Sequence, residues 1–211
     1  MAIRIVQLPL GPLQTNCYIV ACTATQKAAV IDPGWDGRAI QNHVAKEGWS
    51  VDHILLTHAH FDHMGGLGEL KELTDAPIVM HADALTMLER APAAAAMWGF
   101  AVDPPPPPDA FVTEGDIIEI GELRAAVMFT PGHAPGHVCF YLAEHNVLFD
   151  GDVLFQGSIG RTDLPGGDYE LLMRHIGDKL MVLPDETVVL SGHGPATTIG
   201  AERRTNPFLQ D

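Results

Sequence analysis

Apolar and polar positions interleave from the start of the chain. The run Ile3-Arg4-Ile5-Val6-Gln7-Leu8 predicts a half-buried strand over residues 3–8. Further strand-like runs follow over 17–21 and 28–31, the last stopped by Asp32-Pro33-Gly34, so the first thirty residues predict a hairpin-rich sheet. From Asp36 the spacing changes to that of a helix, with Ala39, Ile40, His43 and Val44 on one face as far as Gly48. A short apolar strand over 53–56 comes next, then a helix over 65–73, a strand over 77–80 and a helix over 82–90. The apolar stretch 91–100 has no decisive period. In the second half, strands are predicted over 117–120, 123–129, 137–142 and 147–149, a helix over 169–182 and a last strand over 188–190. Two strand-rich halves with interspersed helices predict an α/β fold, a four-layer αββα sandwich of two mixed sheets flanked by helices. Each sheet then buries one face on its partner and the other under helices. The alternation is too irregular for a βα barrel.

Composition narrows this picture. The chain has 211 residues, 46% of them hydrophobic, enough for one large core, so a single domain over 1–211 is expected. Its 27 acidic and 12 basic side chains give a formal charge of −15, a field that repels nucleic acid and anionic membrane surfaces. No apolar run approaches the roughly 20 residues that cross a bilayer, and the N-terminal alternation is unlike a secretion signal; the expected location is cytoplasmic. Cys17, Cys22 and Cys139 form no Cys-x-x-Cys pair and are expected to be reduced and buried. Five consecutive prolines, 104–108, predict a stiff extended loop crossing the surface.

The chemistry is concentrated after the strand at 53–56. Thr57-His58-Ala59-His60-Phe61-Asp62-His63 places three imidazoles and a carboxylate in six positions, and these are the groups that bind zinc and its first-row neighbours. Three later strand ends carry glycine-flanked candidates: Gly132-His133, Asp150-Gly151-Asp152 and Gly192-His193. Glycine permits sharp turns and close approach, so these polar residues are well placed to converge on one pocket. His58, His60, Asp62, His63, His133, Asp152 and His193 make seven candidate ligands, a number that suits two metals with positions left for water and substrate. His137 reads either as a donor supporting the ligands or as a turn residue, and Asp32 as a turn cap or a support behind the metal loop. His43, His81, His145 and His175 have no ligand-like neighbours in sequence.

In order and spacing, these motifs resemble the metallo-β-lactamase superfamily over nearly the whole chain. The segment from Gly151-Asp152-Val153-Leu154-Phe155 through Gly160-Arg161-Thr162-Asp163-Leu164-Pro165-Gly166-Gly167-Asp168, with the ending Arg203-Arg204-Thr205-Asn206-Pro207-Phe208, resembles small single-domain hydrolases of the glyoxalase II (hydroxyacylglutathione hydrolase) group. The resemblance implies that His58, His60 and His133 hold one divalent ion and Asp62, His63 and His193 another, with Asp152 between them. The expected metal is zinc, with iron and manganese as alternatives. It further implies hydrolysis of a thioester such as S-lactoylglutathione to a hydroxy acid and a thiol, with Asp62 aligning the attacking water. Arg161 stands where that group has a lysine and is expected to meet a substrate carboxylate. Two features depart from the group: the helical glutathione-binding domain is not expected here, and Pro195 replaces a tyrosine, leaving Arg203 and Arg204 as candidate substitutes. An alternative is a mononuclear iron persulfide dioxygenase. Those enzymes share the Gly-Arg-Thr-Asp run and bind iron through counterparts of His58, His133 or its neighbour, and Asp152. A second alternative is a non-catalytic metal-binding domain. Lactam hydrolysis is disfavoured, since no export signal is expected.

Overall fold

The computed structural model describes residues 3–210. The first half runs β1 (Ile3–Leu10), β2 (Thr15–Cys22), β3 (Lys27–Ile31), α1 (Gly37–Lys46), β4 (Ser50–Leu55), α2 (Phe61–Met64), α3 (Leu67–Thr74), β5 (Ile78–His81), α4 (Leu85–Met97) and β6 (Ala110–Val112). The second half runs β7 (Ile117–Ile120), β8 (Leu123–Phe129), β9 (Val138–Leu142), β10 (Val147–Gly151), β11 (Leu154–Phe155), β12 (Ser158–Ile159), α5 (Tyr169–His175), β13 (Val188–Ser191), β14 (Thr197–Thr198) and α6 (Ile199–Thr205).

The strands form two six-stranded sheets, β1-β2-β3-β4-β5-β6 and β14-β13-β10-β9-β8-β7, with β11 and β12 as a separate small hairpin. β3, β4, β5 and β6 are parallel, and parallel neighbours need crossovers, which α1, the α2–α3 pair and α4 supply. Three buried apolar clusters correspond to the three interfaces of a four-layer stack. Ile40, Val44, Leu67, Leu70 and Leu88 pack helices onto the first sheet; Val20, Ile31, Leu55, Phe140 and Phe149 lie between the sheets; Leu148, Leu172, Ile176 and Ile199 sit under the last helices. This is the αββα sandwich expected from the strand pattern. No helix among the described residues is long and apolar enough to cross a membrane. Phe149 is buried between the sheets, edge-on to Tyr18 with ring centroids 5.3 Å apart. Phe149→Ala is expected to cost about 3–5 kcal/mol, read as a lowered urea midpoint, because the sheets close only partly over the lost ring.

Several elements differ from the sequence reading. The helix expected over 82–90 begins as a 3-10 turn at Ala82–Ala84 and continues to Met97, taking Pro92 into its interior and absorbing most of the unassigned apolar stretch. The helix expected over 169–182 changes at His175 into a π-helical turn, Ile176–Leu180. β6, β11, β12, β14 and α6 were not anticipated. The proline run has no regular structure and crosses the α3–α4 surface between two shallow clefts. One cleft is bordered by Leu85, Leu88 and Glu89, the other by Trp35, Met64 and Glu69. Asp109 ends it by accepting from the Ile78 amide and from Lys71 Nζ.

Candidate metal centre

All seven candidate ligands follow the carboxyl ends of strands. The loop after β4 delivers His58 and His60, and α2, which follows it, delivers Asp62 and His63; the ends of β8, β10 and β13 deliver His133, Asp152 and His193. Open sheets with parallel strands gather their ligands at this edge, because the strands leave the sheet there in the same direction.

The hydrogen-bond network assigns the imidazole tautomers. Asp32 has a left-handed backbone, φ 50°, and its Oδ1 accepts from the Thr57 amide at 2.8 Å. Its Oδ2 accepts from Thr57 Oγ1 at 2.6 Å and faces His63 Nδ1 at 3.0 Å. Thr57 gives its only proton to Asp32, so its oxygen must accept from His58 Nδ1, 3.0 Å away. His133 Nδ1 donates to the Arg161 carbonyl at 2.8 Å. In His58, His63 and His133 a proton therefore sits on Nδ1, and Nε2 is the nitrogen that faces into the site. Asp32 does support the metal loop from behind, and it also fixes the His63 ring.

Two clusters result. His58 Nε2 and His133 Nε2 lie 3.0 and 2.9 Å from His60 Nδ1. One proton can serve only one of these contacts, so this trio of nitrogens is short of protons and suits a cation. In the second cluster, Asp62 Oδ2 is 3.2 Å from His193 Nε2 and 3.7 Å from His63 Nε2. Asp152 spans both: Oδ1 is 3.5 Å from His63 Nε2, and Oδ2 is 3.6 Å from His133 Nε2 and 3.7 Å from His193 Nε2. His63 Nε2 and Asp152 Oδ1 are buried with no hydrogen-bond partner in the protein, although buried polar atoms are nearly always paired. A Cβ on Gly192 would strike Asp152 Oδ1 and His63 Cε1, so the centre itself requires glycine there. These residues fit a pair of divalent ions. Asp32, His58 and His63 also lie close together, but the Asp32 oxygens are already used by Thr57 and His63.

The electrostatics separate the clusters. Burial and the surrounding imidazoles hold His58 well below its ordinary pKa. Burial and His133 bring His60 down to about 4, and burial lowers His133. Burial would also depress His63, but Asp152 and Asp62 outweigh it and raise that ring well above the usual value; contact with Asp62 likewise raises His193 against its burial. The carboxyls mirror this. Burial would raise both, yet His63 with His193 brings Asp62 down to about 2, and His63 with His133 holds Asp152 far below the carboxylate range.

His137 lies beneath the ligands. Its Nε2 accepts from the Asp152 amide at 3.2 Å, so Nδ1 carries the proton toward Thr130 Oγ1 at 3.1 Å, and its ring stacks on His58 with centroids 4.9 Å apart. It supports Asp152 and points no lone pair at the clusters. His137→Ala leaves that amide unpaired and is expected to weaken metal binding about 10–100-fold, measured by chelator competition. The Arg161 guanidinium forks onto Asp163 with two contacts of 2.7 Å, while its carbonyl holds His133. Arg203 donates to the Met181 and Leu183 carbonyls and pairs with Asp185, which also faces Arg204. Thr15, Asn16 and Tyr18, which touch the second cluster or its loop, were missed. Their only signal was a Thr-Asn pair opening an otherwise apolar strand.

A four-layer αββα sandwich with two facing His/Asp clusters at its strand ends defines a metal-binding protein. Residues 10–193 match the Metallo-beta-lactamase superfamily, and the chain belongs to that family. It is 38% identical over 204 residues to Hydroxyacylglutathione hydrolase GloC of Haemophilus influenzae, covering 96% of each chain. Among solved structures it is similar to BLEG-1 B3 metallo-beta-lactamase, with 42% identity and a TM-score of 0.93 over 99% of this chain and 100% of that one. It is also similar to TTHA1623 in a di-iron-bound form, with 44% identity and a TM-score of 0.90 over 97% and 100%.

Proposed function

We propose that this protein is a dinuclear metal-dependent thioester hydrolase acting, as one domain, on a small acyl-thiol such as S-lactoylglutathione. The observation that carries the reading is the inward-facing Nε2 atoms of His58, His63 and His133, gathered with His60, Asp62 and His193 around a buried Asp152. The similarity to a hydroxyacylglutathione hydrolase over almost the whole chain supports the substrate class. His58, His60 and His133 would hold one ion, Asp62, His63 and His193 the other, with Asp152 shared. Bound ions would supply Lewis acidity toward the carbonyl and bring a water's pKa toward neutrality.

The side chains then orient and move protons. Asp62, ionised and acceptor-only, lines up the attacking water and takes its hydrogen bond. His193 is the ligand of the second cluster most open to solvent, so substrate approaches from its side. A thiolate is a stable leaving group, so the reaction needs no strong general acid, in keeping with a centre whose imidazoles are all committed. Arg161 serves a substrate carboxylate by exchanging its partner Asp163. Zinc is the proposed metal, and the di-iron form of a similar protein supports iron as the alternative. Three free buried cysteines and the −15 charge favour the cytoplasm and a partner that is neither nucleic acid nor membrane.

The test is loss of thioester absorbance when metal-loaded protein meets S-lactoylglutathione. Rapid turnover that disappears in Asp62→Ala and His58→Ala is the expected result. Inactivity there, with oxygen uptake on glutathione persulfide or opening of a β-lactam, would overturn the reading in favour of a dioxygenase or a lactamase.

A further inference from the structure

The second cluster takes its ligands from opposite halves of the chain, Asp62 from α2 and His193 from the loop after β13. The amino end of β2 is bonded to both. Thr15 Oγ1 lies 3.0 Å from Asp62 Oδ2, the same oxygen that faces His193 Nε2, and an ionised carboxylate only accepts, so the threonine donates. The Asn16 amide donates to the Gly192 carbonyl at 2.7 Å. Asn16 Nδ2 donates to the Ser191 and Gly194 carbonyls, each at 2.9 Å, and the Tyr18 hydroxyl donates to Ser191 O at 2.7 Å. Gln7 Nε2 donates to Asn16 Oδ1 at 2.8 Å, which fixes which way the carboxamide points. The main chain on both sides of His193 therefore hangs from one strand, and that strand also grips the ligand oxygen of Asp62. The first cluster has different supports, Thr57 for His58 and the Arg161 carbonyl for His133.

We propose that Thr15, Asn16 and Tyr18 are positioning residues that control occupancy of the second metal position alone, by holding Asp62 and His193 at ligating distance from each other. The inference rests on the two-metal reading above. Thr15 and Asn16 are buried, 1% and 2% exposed, so their bonds are not exchanged with water and any loosening passes directly to the ligands. Groups that orient metal ligands in this way are typically worth 10–100-fold in metal affinity.

The experiment is titration of the metal-stripped protein with Zn2+ in chelator-buffered solution, counting bound zinc and extracting both dissociation constants. Wild type is compared with Thr15→Val, which keeps the shape without the hydroxyl, with Thr15→Ser, which restores it, and with Tyr18→Phe. Thr15→Val is expected to weaken the second zinc about 10–100-fold and leave the first unchanged. Thr15→Ser recovers it, and Tyr18→Phe shows a smaller loss of the same zinc. A role confined to general stability would instead lower both affinities together, and that result, or two unchanged constants, overturns the inference. If Thr15→Val does not fold without metal, as judged by near-UV circular dichroism, Tyr18→Phe decides on the same criteria. One zinc in saturated wild type removes the two-metal reading itself; two zincs with unselective variants remove only this proposal.

Discussion

Asp152→Asn is expected to empty most of the metal centre and abolish turnover, the largest effect of any single substitution here. Asp152 is placed against both clusters, through Oδ1 toward His63 and Oδ2 toward His133 and His193. Its backbone is fixed from two sides: its amide donates to His137, and a Cβ on Gly160 would strike its carbonyl. Asparagine keeps the shape, so the fold has no steric reason to change. It removes the charge that offsets repulsion between two dications, and it can turn N–H donors toward imidazole lone pairs meant for metal. Bound metal should fall from two equivalents to one or fewer. Turnover should drop by about 10³-fold or more, the scale of losing several kcal/mol of Lewis-acid stabilisation. The metal-free variant should also melt lower than metal-free wild type, because the ionised Asp152 is stabilised by His63 and His133 and its loss leaves the protonated His63 ring buried without that partner. Mass spectrometry of bound metal beside initial rates checks this; full metal content with turnover within about tenfold of wild type would remove Asp152 from its bridging role.

The sequence disclosed the centre more readily than its supports, for a physical reason. Candidate metal ligands are rare residue types crowded into short loops, so His58, His60, Asp62 and His63 announce themselves locally, and glycine-flanked strand ends bring in the other three candidates. β7 and β8 were legible to the residue because apolar alternation breaks at Gly121, which has φ +60°. Two-residue strands such as β11 and β14 have too few positions for any period to register. α4 was obscured because Pro92 normally ends a helix, whereas packing of Leu88, Ala91 and Ala95 on the first sheet carries this one through. The Asn16 contacts with Ser191 and Gly194 were invisible because they join the two ends of the sequence, where neither spacing nor composition carries a signal.

Acid is expected to remove the two metals in order, the second cluster first. Imidazole must be neutral to bind, so protons compete with metal only below the pKa that the ring has without it. For His58, His60 and His133 that value is depressed, to about 4 for His60, because burial among other imidazoles disfavours the cation. Protons gain nothing on the first ion through the range where an exposed histidine would already be charged. His63 and His193 are shifted the other way: Asp152 and Asp62 stabilise their protonated forms against burial. As pH falls through those raised values, each ring that takes up a proton in the metal-free state costs the second ion about tenfold in affinity per pH unit, and two rings cost about a hundredfold. Asp62, near 2, and Asp152, lower still, remain ionised and add no proton of their own. Zinc content after equilibration from pH 8 down to pH 4.5 should therefore step from two equivalents to one before it falls further. Activity should follow the first step, since the departing ion is the one bound through Asp62. Simultaneous loss of both ions, or loss of the first cluster's ion at higher pH, would show that the carboxylates around His63 and His193 do not set proton competition at this centre.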